Sequence, residues 1–363
     1  MAAAKERNAA PRRRVAVDDD SKPAAASYFA QVGDKGTLHF FSSGCAGVDA
    51  ALGGGWPLGR VSNIVGDKSS GKTLLAIEGS ANFAHTFPSD EEDIFYREAE
   101  AAFDKSYAAT LGLPMQRVQF RGKDYSSKKP WKMETIEDFY EDANRVLDQM
   151  KDRPALYIVD SLDALSDDAE MKREFGDGSY GGSKPKKLGE LFRRLVQRIE
   201  EQQMHLMVIS QLRDKLNVTF GETKTRSGGR ALDFYASHIM WLAETGKIKR
   251  TIDKVERVVG LDIKARVKKN KVGLAHREFA YPLLFGYGID DLTANVEWLL
   301  EVGADTRLRE ELGISAAGYK VMLRNIRDKG GEEARTLRAQ LRAMLFDEWQ
   351  RVESKFLPTA PKY

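Results

Sequence analysis

Eight consecutive residues have the types and spacing of a phosphate-binding loop. They follow the pattern G-x-x-x-x-G-K-T, and in order they are Gly66, Asp67, Lys68, Ser69, Ser70, Gly71, Lys72 and Thr73. Glycines let backbone N–H groups close around phosphate oxygens, the lysine reaches the β- and γ-phosphates, and the threonine hydroxyl is a ligand for Mg²⁺. The segment follows a predicted strand and opens a predicted helix, as this chemistry requires. We therefore predict a site for a nucleoside triphosphate and Mg²⁺.

Acidic residues at the ends of two predicted strands could complete this site. The apolar run 156–159 ends in Asp160, which we expect to organise Mg²⁺ together with the threonine of the loop. Residues 93–96 form another predicted strand, and Glu98 and Glu100 follow it. The carboxyl ends of parallel strands meet at one edge of a sheet, where ligands bind. One of the two glutamates should be the general base that polarises water.

The elements that must position these residues alternate between short β-rich runs and longer helical stretches. The runs that indicate strands are residues 61–65, 93–96, 155–159, 205–210, 239–242 and 261–267. Apolar residues recur every three or four positions in residues 73–84, 136–150 and 188–202, which predicts helices. Strands and helices that alternate in this way indicate an α/β fold with a mostly parallel twisted sheet and helices on both faces.

The two ends of the chain differ from this central region. Residues 1–25 have almost no large apolar side chains, so we expect them to form a flexible arm. After Gly303 the pattern becomes that of a charged amphipathic helix with an apolar stripe. The predicted domains are an N-terminal arm that could also serve oligomerisation (residues 1–37), the core (38–303) and a small C-terminal helical unit (304–363).

Composition narrows the class of protein. The 363 residues are 42% hydrophobic, which is enough for a large core, and no apolar run has the length of a transmembrane helix. Cys45 is the only cysteine, which excludes an internal disulfide and a thiolate metal cluster and fits a reducing compartment. The net charge is +3, from 57 basic and 54 acidic residues, so composition alone does not establish a nucleic-acid partner. We expect a soluble intracellular protein without a membrane partner.

The order of these motifs resembles the RecA family of homologous-recombination ATPases. The resemblance extends from about Ser42 to Gly303 and includes the stretch between residues 43 and 60 that leads into the phosphate loop. Residues 230–237, Arg-Ala-Leu-Asp-Phe-Tyr-Ala-Ser, are its most distinctive part. The resemblance implies a RecA-like P-loop NTPase core, ATP and Mg²⁺ as cofactors, and homo-oligomeric helical filaments on single-stranded DNA that pair with homologous duplex DNA.

The resemblance also assigns roles around the nucleotide. It implies that Glu100 is the catalytic glutamate and that Glu98 is a supporting carboxylate next to it. Asp104 and Tyr107 match positions that contact adenine. Gln211 matches a glutamine that senses the γ-phosphate and starts a DNA-binding loop.

Two lysines match residues that act between subunits in this family. Lys269 and Lys271, with Asn270 between them, resemble a basic pair that reaches the ATP of the neighbouring subunit. They lie at the end of a predicted strand, where residues two apart point to the same face. A pair of exposed charges at a sheet edge is the alternative.

Two glycine-rich and basic segments resemble the DNA-binding loops of the family. The first is at about residues 174–187 and is one residue longer than usual, and the second is at about 212–230. The candidate DNA-binding residues in them are Tyr180, Arg213, Lys215, Leu216, Lys224, Arg226, Gly228, Gly229 and Arg230. Taken singly, each basic residue is better explained as a solvated surface charge, and the resemblance favours DNA binding for the loops as a whole. Because contacts to phosphate carry no sequence information, we expect little sequence preference and a strong dependence on salt.

The ends of the chain and the shared core leave alternatives open. The N-terminal polymerisation helix is short or absent and the acidic tail of bacterial members is missing, which resembles phage-encoded recombinases. The expected location is the cytoplasm of a bacterial or phage-infected cell. One alternative is a hexameric DNA helicase on the same core. Another is a non-catalytic DNA-binding regulatory relative, which should lack Lys72, Glu100 or Asp160, whereas all three are present.

Overall fold

The computed structural model describes most of the chain. The described residues are 38–100, 103–120, 132–151, 153–172, 183–214, 224–226 and 228–358. The predicted N-terminal arm lies outside them, and so do Tyr180, Lys215 and Leu216. For Arg213 and Lys224 only the backbone is described. No helix within the described ranges is long and apolar enough to cross a membrane.

The strands and helices are numbered in chain order over the described residues. The strands are β1 (Phe40–Phe41), β2 (Trp56–Pro57), β3 (Val61–Gly66), β4 (Ile94–Glu98), β5 (Val118–Gln119), β6 (Ala155–Asp160), β7 (Met204–Asp214), β8 (Lys224–Arg226), β9 (His238–Ile252), β10 (Val255–Asn270), β11 (Arg277–Leu284) and β12 (Gly288–Ile289). The helices are α1 (Ala46–Leu52), α2 (Lys72–Thr86), α3 (Lys105–Thr110), α4 (Ile136–Gln149), α5 (Asp168–Met171), α6 (Ser183–Glu201), α7 (Gly229–Tyr235), α8 (Asp291–Glu301), α9 (Asp305–Leu312), α10 (Tyr319–Lys329) and α11 (Gly331–Ser354).

A mostly parallel sheet forms the centre of the molecule, in the order β12-β11-β10-β9-β3-β7-β6-β4-β5. The six strands from β9 to β5 pair in parallel. The strands from β9 to β12 pair antiparallel and extend the sheet at one side. The predicted fold class is thereby confirmed, with an antiparallel extension that the sequence pattern did not indicate.

Apolar side chains cover both faces of the sheet. One buried cluster joins the sheet to α1 and α2, and a second joins it to α4 and α6. The strands β3 and β6 are buried at every position, as expected for central parallel strands. Their carboxyl ends therefore present polar residues at a rigid edge.

A buried ion pair fixes β4 and β6 relative to α4. The Nε atom of Arg97 lies 2.6 Å from Oδ2 of Asp142, and both side chains are about 1% exposed. The hydroxyl of Tyr157 donates to the same carboxylate oxygen at 2.7 Å. Because a buried charge without a partner is costly, this network holds the strand that leads to Glu98 and Glu100 in one position.

The helices after the sheet form a third apolar cluster with α8. Leu299 of α8, Leu323 of α10 and Leu341 of α11 belong to it, while Trp349 near the end of α11 packs on the central core. Phe356, predicted to continue the apolar stripe of α11, is 76% exposed because the helix ends at Ser354. The predicted boundary between core and C-terminal unit stays a prediction.

Candidate nucleotide site and DNA-facing loops

The phosphate loop connects the buried strand β3 to the first turn of α2. Gly71 at the helix N-cap has a φ of 81°, a left-handed conformation that favours glycine. A Cβ atom on Gly66 would lie 2.3 Å from Oγ of Ser70. Glycine is therefore required at both positions for the backbone to turn back towards the start of the helix, whose N–H groups favour an anion.

The loop lysine is nearly buried among acidic groups. Lys72 is 8% exposed, and its Nζ atom donates to the carbonyl oxygen of Asp67 at 2.6 Å. Burial lowers the pKa of Lys72, while the negative charges of Asp160 and Glu100 oppose this change. The ammonium group thus lies in the part of the site where the phosphates of a bound triphosphate would lie.

The threonine of the loop and the carboxylate at the end of β6 are in direct contact. The hydroxyl of Thr73 donates to Oδ2 of Asp160 at 2.8 Å, and the hydroxyl of Tyr96 donates to the same oxygen at 2.7 Å. Burial raises the pKa of Asp160, and these hydrogen bonds oppose it. A hydroxyl and a carboxylate oxygen at this distance form a donor set that suits Mg²⁺.

Glu100 joins the nucleotide site to the strand that enters the second loop. Its Oε1 atom accepts a hydrogen bond from Nε2 of Gln211 at 2.8 Å and another from Oγ of Ser161. The backbone N–H of Gln211 donates to Asp163 at 2.7 Å. Glu98 instead lies opposite Asp160 in the register of β4 and β6. The structure thus brings Glu100 together with Gln211, and the roles assigned to them from the sequence stay predictions.

The predicted adenine-contacting residues lie at the start of α3. Asp104 is the N-cap, and its carboxylate accepts a hydrogen bond from the backbone N–H of Tyr107 at 3.0 Å. Tyr107 is half-buried, and burial raises its pKa. The capping contact fixes the Asp104 carboxylate against the backbone of Tyr107, and the role of both residues towards adenine stays a prediction.

The described part of the second loop leads through β8 into α7. Gly228 is the N-cap of α7 with a φ of 81°, and Gly229 has a φ of 34°. Arg230 is exposed. Arg226, predicted to contact DNA, is only 8% exposed as a side chain, and its Nη2 atom lies 2.7 Å from Oδ1 of Asp233. In this state Arg226 faces a carboxylate of its own subunit.

The two predicted trans-acting lysines cover the carboxyl end of α7. The Nζ atoms of Lys269 and Lys271 donate to the carbonyl oxygen of Phe234 at 3.0 and 3.1 Å, and Lys269 also donates to that of Asp233. Both lysines therefore lie on one face, as the period of two predicts. Burial and the charge of Lys271 lower the pKa of Lys269 to about 8.

Three residues of the site escaped the sequence-based prediction. Ser161, Asp163 and Tyr96 all contact predicted residues, as described above. Ser161 directly follows Asp160, and Asp163 lies in the short 3₁₀ turn Leu162–Ala164 that comes next, so their place after a strand end was a usable signal. Tyr96 gave no signal, because it reads as an ordinary apolar strand residue.

The sheet order, the phosphate loop and the Thr73–Asp160 contact define a protein of the P-loop fold class. The sequence also matches the family described as the RecA N-terminal domain over residues 26–290. Two curated relatives called Protein RecA, from Streptococcus pneumoniae strains Hungary19A-6 and CGSP14, are each 33% identical over 322 residues. These residues cover 88% of this chain and 76% of each relative. The chain belongs to the RecA family.

Proposed function

We propose that this protein is a DNA-dependent ATPase and recombinase that forms ATP-bound filaments on single-stranded DNA and promotes pairing with homologous duplex DNA. The observation that carries the proposal is the hydrogen bond between Glu100 and Gln211. One partner lies beside the phosphate loop, and the other lies on the strand that continues into the second loop. A change in either site therefore reaches the other through one contact.

The residues of the site support hydrolysis of ATP. Lys72 would neutralise the β- and γ-phosphates, and Thr73 and Asp160 would hold Mg²⁺, which would supply positive charge against the charge that develops during hydrolysis. Glu100 would take a proton from the attacking water as a general base. Ser161 and Gln211 orient its carboxylate through hydrogen bonds to Oε1, which leaves Oε2 for water.

The coupling to DNA would work through the same glutamine. A γ-phosphate that attracts the amide of Gln211 draws the end of β7 and the following loop with it. DNA bound to that loop would in turn fix Gln211 and hence the orientation of Glu100. ATP hydrolysis should therefore be slow in the free protein and fast on single-stranded DNA.

Microscopy and kinetics with the full chain test this proposal. Negative-stain images with single-stranded DNA and a non-hydrolysable ATP analogue should contain regular helical filaments, and DNA should strongly stimulate ATP hydrolysis. Rings instead of filaments would favour a hexameric helicase. Equal ATPase rates with and without DNA would refute the coupling.

The substitution Glu100→Gln separates binding from hydrolysis. It keeps the size of the side chain and removes the base, so hydrolysis should fall by about 10²- to 10⁴-fold. ATP binding should persist, and filaments formed with ATP should become long-lived. A variant that hydrolyses ATP at the wild-type rate would show that the base is another residue.

A further inference from the structure

The strands β9 and β10 continue past the strands that flank them in the sheet. Only residues 238–242 of β9 pair with β3, and only residues 260–267 of β10 pair with β11. Residues 249–252 of β9 and 255–258 of β10 pair only with each other among the described residues, so they form a two-stranded ribbon at the tip. Four residues per strand at 3.3 Å give a projection of roughly 13 Å.

One face of the ribbon tip combines cations with exposed aliphatic side chains. Arg250 lies directly opposite Arg257, and Ile252 lies directly opposite Val255. Residues two apart on a strand share a face, so these four side chains form one surface. Ile252 is 60% exposed and Val255 is 46% exposed, and both arginines are exposed. We call this surface the tip face.

On the opposite face of the ribbon, a basic side chain is paired with a carboxylate. There Lys249 forms an ion pair with Glu256 at 2.9 Å. On the tip face, neither arginine forms an ion pair with a carboxylate of the described residues, and Arg257 donates only to the carbonyl oxygen of Glu256. Like charges that lie directly opposite each other destabilise a strand pair. This arrangement therefore favours an anionic ligand between the two guanidinium groups.

We propose that the tip face binds duplex DNA in its minor groove, with Arg250 and Arg257 on phosphates and with Ile252 and Val255 against a base step. This inference rests on the proposed function, which requires a duplex partner. Two-stranded ribbons fit the grooves of DNA, and arginines neutralise phosphates. Exposed aliphatic side chains at a convex tip act as wedges that unstack base pairs. An acidic protein would also match the positive charge of the tip face. Its side chains would however need a concave or flat surface to pack against, and the tip is convex.

The ribbon would give the protein a duplex contact separate from the two loops. A wedge that unstacks base pairs makes the bases of the duplex accessible for pairing with a bound single strand. Arg250, Arg257, Ile252 and Val255 therefore determine capture of the duplex, and they leave ATP hydrolysis on single-stranded DNA unchanged.

Paired variants of the full chain test this assignment. In Arg250→Ala/Arg257→Ala, the affinity for a fluorescent duplex should fall at least fivefold. The slope of log K against log salt should become shallower by about 1.8, which corresponds to two phosphates. The matched control Lys249→Ala alters a balanced charge on the other face of the ribbon and should change affinity less than twofold. Equal affinities and slopes for the arginine variant and the control would overturn the proposal.

A second variant tests the wedge. Ile252→Ser/Val255→Ser should keep the salt slope but lose the increase in 2-aminopurine fluorescence that unstacking produces in a labelled duplex. An unchanged fluorescence increase would contradict the wedge. A third outcome is that the tip face binds an alternating Val-Glu peptide while the arginine variant binds duplex DNA with unchanged affinity. This result would assign the surface to a protein partner and refute a DNA site.

The ATPase on single-stranded DNA separates this inference from the proposed function. All three ribbon variants should retain the wild-type rate, which also shows that they fold. If wild-type protein is stimulated by single-stranded DNA and the arginine variant binds duplex normally, only the ribbon inference fails. If the wild-type protein is not stimulated, the proposed function itself fails.

Discussion

The nucleotide site and the lysines at the end of α7 have opposite charge balances. Lys72 lies in the field of four carboxylates, those of Asp160, Glu100, Asp67 and Asp163. Lys269 lies in the field of two further cations, Lys271 and Arg226, and of one carboxylate, that of Asp233. The first cluster is short of positive charge, and the second has a surplus.

This difference indicates that each cluster needs charge from outside. The nucleotide site would gain it from Mg²⁺ and from an additional cation, and the lysines would gain an anion. In a filament, the lysines of one subunit would meet the phosphates of the next and would leave the carbonyl oxygens of α7. Hydrolysis would then require assembly, because a cation supplied from a neighbour stabilises charge in the transition state.

Removal of the surplus cations should have the largest effect. In Lys269→Ala/Lys271→Ala, DNA-stimulated ATP hydrolysis should fall by about 10³-fold or more, the range of an arginine finger. Nucleotide binding by the free subunit should be nearly normal. The matched control is Lys264→Ala, because Lys264 lies on the same strand and pairs with Glu278 at 2.7 Å. If the double variant hydrolyses ATP as fast as this control, both lysines are ordinary surface charges without a role in hydrolysis.

The half-buried acid Glu78 sharpens the comparison through stability. Burial raises the pKa of Glu78 to about 7, against an ordinary value of 4.5, although the N–H of Ile289 opposes this. The proton is therefore bound more tightly in the folded state, and the wild-type protein loses stability as the pH rises from 4.5 to 7. Glu78→Gln should unfold with about 3 kcal/mol more free energy at pH 8 and with no difference below pH 4.5.

Urea unfolding at both pH values measures this effect. The glutamine oxygen can still accept the hydrogen bond from Ile289, so packing is kept. A stability difference that does not change with pH would show that the carboxylate is already stabilised in the fold.

The smallest expected effect concerns the single carboxylate of the second cluster. Asp233→Asn should release Arg226 for DNA, because the amide no longer attracts the guanidinium group. The salt slope for single-stranded DNA should then steepen by about 0.7, the value for one phosphate. Asp233→Glu keeps the charge and serves as the control. An unchanged slope in Asp233→Asn would mean that Arg226 does not reach DNA.

The sequence predicted those parts of the site that are local in the chain. The phosphate loop and Asp160 depend on a strand and the residues that follow it, and both were recognised from their patterns. The contact of Glu100 with Gln211 was not derivable from pattern, since it joins residues 111 positions apart. The family resemblance assigned a role to each of the two residues, and the structure shows that they are within hydrogen-bond distance.

The ribbon shows why part of the fold could not be predicted. Residues 238–242 of β9 are buried except for the half-buried Trp241, and the strand leaves the core after Leu242. The predicted strand therefore ended there, ten residues before Ile252. The described ribbon beyond this point faces solvent on both sides, so hydrophobic periodicity carries no signal for it. The ion pair of Arg97 with Asp142 was missed for a related reason, because buried charges read as surface residues in sequence.

Mixed filaments test the assembly requirement most directly. Neither Glu100→Gln nor Lys269→Ala/Lys271→Ala should hydrolyse ATP alone. When the two proteins are mixed on single-stranded DNA, some interfaces combine a wild-type Glu100 with wild-type lysines from the neighbour. Partial recovery of the ATPase rate, highest near equal amounts of the two proteins, is the expected result. No recovery in filaments that demonstrably contain both proteins would contradict action between subunits.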